Sequence, residues 1–164
     1  MYYLYEISAA FFDEPGCAVD QNRLVLATPC VKNKHGELEL QVLNSIDRLR
    51  SQIDKDVAIK ALKHLFALAG TGRQLQDLVD KKSLHQAFDN FIPEGESVAT
   101  AKIWRYRRGV IRVLFFYDAN RLVILADVVA KRKNELSVSE KNQAISVYQD
   151  YFRAKRNSQI MWES

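Results

Sequence analysis

The chain has 164 residues, 48% hydrophobic and 27% charged. That balance excludes a disordered chain and a disulfide-stapled miniprotein, and the length predicts one domain over 1–164 with a core that holds without staples. A formal charge of +4 and a sequence pI of about 9.1 point to an acidic partner such as RNA, DNA or an acidic protein.

Cys17 and Cys30 form no CxxC pair, and with His35, His64 and His85 they make no four-ligand zinc pattern. No metal and no cofactor are expected. The opening MYYLYEISAAFF is too short to span a bilayer and lacks a signal-peptide layout. A soluble, cytoplasmic protein with no membrane partner is the expectation.

Residues 2–12 are rich in aromatic and β-branched types and predict a strand, followed by a turn at Asp13-Glu14-Pro15-Gly16. A second short strand over 22–28 stops near Pro29, and 32–36 reads as a loop, so the opening residues predict an edge hairpin. From Leu38 the period changes. Leu38, Val42, Ile46, Leu49 and Ile53 mark one face of a helix. Asp54 or Asp56 is placed to cap a second helix with the stripe Ile59, Leu62, Leu65, Phe66 and Ala69, ended by Gly70 and Gly72. The pair reads as an antiparallel helical hairpin. Leu75, Leu78 and Val79 predict one further helical turn, and 93–97 a loop. His64 lies beside the stripe of the second helix and reads as structural. His85 lies close to the basic segment that follows.

That segment, 102–133, carries nine basic residues against two acidic ones, a local charge of +7 that leaves −3 for the rest of the chain. It holds three apolar runs separated by turns at Arg108-Gly109 and Asp118-Ala119-Asn120. Strands joined by such short turns pair antiparallel, so a three-stranded meander is predicted, its middle strand VIRVLFFY buried on both faces. In the first strand Trp104 and Tyr106 interleave with Arg105 and Arg107. Arg112 stands out. A cation inside VIRVLFFY needs water, an acidic partner such as Asp127 on the next strand, or an anionic ligand. After Lys131-Arg132-Lys133, Ser137 and Glu140 form a capping box that opens a helix of about 18 residues, with the stripe Ala144, Val147, Tyr148, Tyr151 and Phe152. The basic end of this helix suits its negative pole, and 158–164 reads as a loose tail.

A sheet bearing arginines beside Trp104 and Tyr106 has the residue types to hold a phosphodiester backbone and stack a base. RNA carries its own nucleophile, the ribose 2′-OH. Its cleavage therefore needs in-line placement, a base, and cations around the phosphate.

The segment KIWRYRRGVIRVLFFYDANRLVILADVVAKRKNELSVSEKNQAISVYQDYF resembles the RelE/HigB-like toxins of bacterial toxin–antitoxin systems, in particular their phage-derived branch. The matching pieces are Trp104-Arg105-Tyr106, Gly109-Val110-Ile111-Arg112, Leu114-Phe115-Phe116-Tyr117, Lys131-Arg132-Lys133 and the helix from Ser137, preceded by two helices in the family's order. The resemblance covers about 54–153, with 1–50 as an N-terminal strand and helix extension. It implies an α+β fold in which an antiparallel β-meander packs with an N-terminal helical hairpin and a C-terminal helix. It also implies an mRNA endoribonuclease (a hydrolase-class toxin) that acts on the ribosome and is neutralised by a cognate antitoxin, typically a helix-turn-helix protein. Carried over by position, Arg112, Arg105 and Lys131 are the catalytic candidates. Lys102, Trp104, Tyr106, Arg107, Arg108, Tyr117 and Lys133 are the RNA-binding candidates. The chain departs from the family at Val129-Ala130, where a Phe is usual, and at Arg132, which interrupts the basic pair. The alternative on the same scaffold is a non-enzymatic interaction protein: a gyrase-poisoning toxin or a phage protein that binds a host factor.

Overall fold

The computed structural model describes residues 1–14, 22–95, 99–132 and 135–163. Among them are three α-helices and eight strands in one mixed sheet, an α+β fold. The strands are β1 (Tyr2–Glu6), β2 (Val25–Lys32), β3 (Leu38–Leu40), β4 (Leu84–Gln86), β5 (Trp104–Arg108), β6 (Ile111–Asp118), β7 (Leu122–Ala130) and β8 (Ile160–Glu163). The helices are α1 (Gln41–Asp47), α2 (Gln52–Ala69) and α3 (Val138–Arg156). The strand order is β4-β5-β6-β7-β2-β1-β8, with β3 paired to β2. The β2–β7 and β1–β8 pairs are parallel and the others antiparallel.

The meander forms as its turns dictate. Ala119 and Asn120 both take positive φ, 53° and 59°, the left-handed backbone that tight hairpin loops use, in a loop that closes between Asp118 and Leu122. The run read as VIRVLFFY forms the middle strand from Ile111, with Val110 in the turn before it, and is buried from Ile111 to Phe116. Because side chains alternate across a strand, β6 feeds two cores. Ile111, Val113 and Phe115 pack with Ala58, Leu62 and Leu65 of α2. Leu114 and Phe116 pack with Ala144, Val147 and Tyr151 of α3. The sheet is thus clothed by α1 and α2 on one face and α3 on the other. Ser137 and Glu140 close the capping box: the Ser137 hydroxyl accepts from Glu140 N at 3.1 Å and Glu140 Oε1 accepts from Ser137 N at 2.7 Å.

Five expectations change. The helix read from Leu38 to Ile53 is divided: Leu38–Leu40 pairs with β2, α1 has seven residues, and Ile53 lies exposed at the start of α2. The cap of α2 is Ser51, whose hydroxyl accepts from Asp54 N at 3.0 Å, so Asp54 lies inside the helix. The opening hairpin sits in the interior of the sheet, because β2 pairs with β7 and β1 is flanked by β8. The strand read over 2–12 stops at Glu6, and Ala9–Phe12 is a 3₁₀ turn. The segment read as a loose tail supplies that flanking strand, and Glu163 at its end pairs with Lys32 at 3.0 Å. Cys30 is a buried free thiol pushed up by burial, whereas Cys17 and the turn residues Pro15-Gly16 lie outside the described residues. Among the described residues no helix is long and apolar enough to cross a membrane.

Candidate nucleic-acid interface

Strict alternation along β5 sorts its side chains. Trp104 and Tyr106 turn to the α2 core, while Ile103, just before the strand, enters the α3 core, so Arg105 and Arg107 share that second face. Strand register extends the face across three strands. Arg107 lies opposite Arg112 on β6, Arg105 opposite Leu114, and His85 of β4 opposite Arg105. Three arginines and one histidine are thereby gathered on neighbouring strands.

Arg112 is only 2% exposed. Its Nη1 donates to Gly109 O at 2.7 Å and Ile111 O at 3.1 Å, and its Nε has no partner. Burial pushes its guanidinium below the usual arginine value, and the neighbouring charges of Arg105 and Arg107 push the same way. Arg105 is 5% exposed and is lowered by burial and then by Arg107. Among the described residues neither Arg107 nor Arg112 forms an ion pair. Desolvated cations pushed together raise the local potential and favour an anion.

The face opens into a cleft of about 600 Å³ whose cations are Lys81, Lys82, Arg105, Arg107 and Lys141, with His85 and Phe88 also in its wall. Two exposed carboxylates, Asp89 and Glu135, share the lining. The His85 ring bridges: Arg105 Nη2 lies in hydrogen-bond contact with Nε2, and Nδ1 lies 2.7 Å from Gln86 O. A guanidinium only donates and a carbonyl only accepts. The ring is therefore the neutral Nδ1–H tautomer, with its Nε2 lone pair aimed at the cleft's arginine.

Other candidates lie elsewhere. Tyr106 is 4% exposed on the opposite face. Its hydroxyl contacts His64 Nδ1, and burial pushes that hydroxyl up, so it is not available to stack a base in the cleft. Trp104 and Tyr117 meet edge-on at 6.4 Å on that same α2 side. The Tyr117 hydroxyl donates to Gln76 Oε1 at 2.6 Å and accepts from Leu75 N at 2.9 Å. The physical reason is the alternation itself: aromatics that interleave with arginines along one strand project from the other side of the sheet. Lys102 is exposed ahead of β5. Lys131, just past β7, pairs with Glu140 at 2.9 Å, and Lys133 lies outside the described residues. The ion pair Arg112–Asp127 is not formed. Asp127 lies opposite Leu114, and its Oδ1 accepts from Ser45 Oγ at 2.9 Å and Val128 N at 2.8 Å.

A second polar cavity, about 680 Å³, lies beside Asp127 and is lined by Ser45, Arg48, Arg50, Arg132 and Glu140. Among the described residues no group of three or more His, Cys, Asp and Glu is placed to hold a metal ion. No family model matches the chain, and no curated protein matches it. The cleft residues without a signal in the sequence are Lys81, Lys82 and Lys141. They lie outside the basic segment, Lys81 and Lys82 before it and Lys141 after it, and the β4–β5 pairing and the packing of α3 bring them in.

Proposed function

We propose that the chain is the toxin of a toxin–antitoxin pair: a metal-independent endoribonuclease that cuts mRNA on the ribosome in the cytoplasm. The observation that carries the reading is Arg112, a buried cation without a counter-ion among the described residues, on one sheet face with Arg105 and Arg107. The resemblance of 54–153 to the RelE/HigB-like toxins supports it. In this reading the β5-β6-β7 meander, α2 and α3 are the RelE-like core, and β1, β2 and β8 widen its sheet.

In this reading the scissile phosphate sits in the cleft against Arg105 and Arg107, with the buried Arg112 of β6 next to Arg107. Fork-shaped guanidinium groups bond its non-bridging oxygens in pairs and stabilise the extra charge that develops as the phosphorus becomes five-coordinate. The lysines Lys81, Lys82 and Lys141 hold flanking phosphates as point charges. A cognate antitoxin, expected to carry a helix-turn-helix domain, neutralises the protein.

The test is induction of the wild type and of Arg112→Met, with primer extension across abundant transcripts. New 5′ ends within coding regions are expected for the wild type alone. Intact transcripts from a wild-type protein that still arrests growth would sink the nuclease reading and favour the interaction protein.

A further inference from the structure

We infer that His85 is the general base of the cleavage reaction, with Arg105 as the switch that uncovers it. The inference rests on the nuclease reading above and names the residue that moves the proton. His85 is half-buried in the wall of the arginine cleft, on a strand in direct register with Arg105. Its Nδ1 proton is committed to Gln86 O, which fixes the tautomer and leaves Nε2 as the lone-pair nitrogen. That nitrogen faces Arg105 Nη2.

Without substrate, Arg105 occupies the lone pair. A phosphate dianion-like transition state offers the guanidinium a charged and therefore stronger acceptor than a neutral imidazole nitrogen. As Arg105 turns to the phosphate, Nε2 is released toward the adjoining ribose. The 2′-hydroxyl gives its proton to Nε2. The 2′-oxygen then bonds to phosphorus, and the bond from phosphorus to the 5′-oxygen breaks with its electron pair on that oxygen, which takes a proton from water. The products are a 2′,3′-cyclic phosphate and a 5′-hydroxyl end, and the imidazolium returns its proton to solvent. Atoms and charge balance with no further reactant. Arg105 is a positioning residue before this step and a phosphate ligand during it.

Five cations and two carboxylates face His85 across the cleft. These are Arg105 and Arg107 from β5, Lys81 and Lys82 before β4, and Lys141 from α3, with Asp89 and Glu135 at the rim.

The experiment measures single-turnover cleavage of ribosome-bound mRNA against pH for the wild type, His85→Asn and His85→Gln, with binding of a non-cleavable 2′-deoxy substrate measured in parallel. The expected result is a rate loss of about 10²–10⁴-fold in both variants. The acidic limb of the profile disappears, binding stays within about threefold, and added imidazole partly restores the rate. Variants that cleave at the wild-type rate with the same acidic limb overturn the assignment, as does a rate loss matched by an equal loss of binding. If the wild type binds and does not cleave, the nuclease reading fails with it. If the wild type cleaves, Arg112→Met does not, and both His85 variants cleave normally, the nuclease reading stands and the base assignment falls.

Discussion

Replacing Arg112 with Met separates a binding cation from a structural one. The guanidinium makes two bonds to main-chain carbonyls, Gly109 O and Ile111 O. Bonds to a charged group contribute about 1.5–3 kcal/mol each, and at the exposed Gly109 turn water takes the place of the lost donor. Against these stands the cost of holding a cation at 2% exposure, several kcal/mol, together with repulsion from Arg105 and Arg107. Met keeps the apolar stem and its packing. The opposing quantities are similar in size, so the unfolding free energy should stay within about 2 kcal/mol of the wild type. Activity should not. Loss of one preorganised donor to a developing phosphorane charge lowers the rate about 10²–10³-fold, about 2.7–4 kcal/mol of transition-state stabilisation. Urea unfolding followed by tryptophan fluorescence and single-turnover cleavage on programmed ribosomes read the two quantities. A folded variant that cleaves within about threefold of the wild type refutes the reasoning. So does a stability loss of more than about 4 kcal/mol, which would make the arginine a structural element.

Asp127 is raised by burial, so the stability it brings is fully present below the usual carboxylate range and is lost as pH rises through its folded value. Asp127→Asn keeps both acceptor contacts and should gain on the wild type in urea unfolding as pH rises from about 4 to 7; a loss of about 3–5 kcal/mol instead would mark a buried ion pair that the geometry excludes. The Tyr117 hydroxyl is pushed up to about 12 by burial, so its contribution holds below the ordinary phenol range near about 10 and is lost as pH climbs through the folded value. Tyr117→Phe should flatten the fall in Tm over that window in calorimetry, and an unchanged slope would count against it. Ser137→Ala removes one arm of the α3 capping box and should cost about 1 kcal/mol, a Tm drop of about 2–4 °C for a chain of this size; no drop would show that α3 is held by packing alone.

The parts of the fold legible in the sequence are those encoded by short-range rules. The turn at Asp118-Ala119-Asn120, the apolar run VIRVLFFY and the Ser137–Glu140 box each specify their structure within a few residues and appear as read, while the first turn falls one residue later than read, at Gly109-Val110. The elements that were not legible depend on distant partners. Leu38–Leu40 and Ile160–Glu163 have no strand period of their own, and they are strands because β2 and β1 present open edges. The candidate site divides the same way. Arg105, Arg107 and Arg112 were visible as a charge cluster on strands. Their separation from Trp104 and Tyr106 was also implicit in the two-residue period, and reading the aromatics and arginines as one surface overlooked it. His85 was near the segment in sequence, but only the register with Arg105 gives its ring a role.

The segment 102–133 contains two acidic residues, and the fold commits both away from the arginine face. Asp118 accepts from the Tyr151 hydroxyl and pairs with Lys155 at 2.8 Å, while Asp127 is held by Ser45 and the Val128 amide. Glu140, in the first turn of α3, binds Lys131, while Glu135 lies at the rim of the cleft. Tyr151 and Lys155 of α3 occupy the Asp118 carboxylate, and Ser45 of α1 helps to hold that of Asp127. A fold selected for stability alone gains by pairing a buried guanidinium or replacing it with an apolar side chain. Leaving Arg112 charged, desolvated and next to two like charges runs against the local rules that the rest of the chain obeys, and such a conflict is expected where a surface serves a ligand. Under the proposed nuclease reading, the counter-charge that Arg112 lacks among the described residues would come from the substrate, most strongly in the transition state of phosphodiester cleavage.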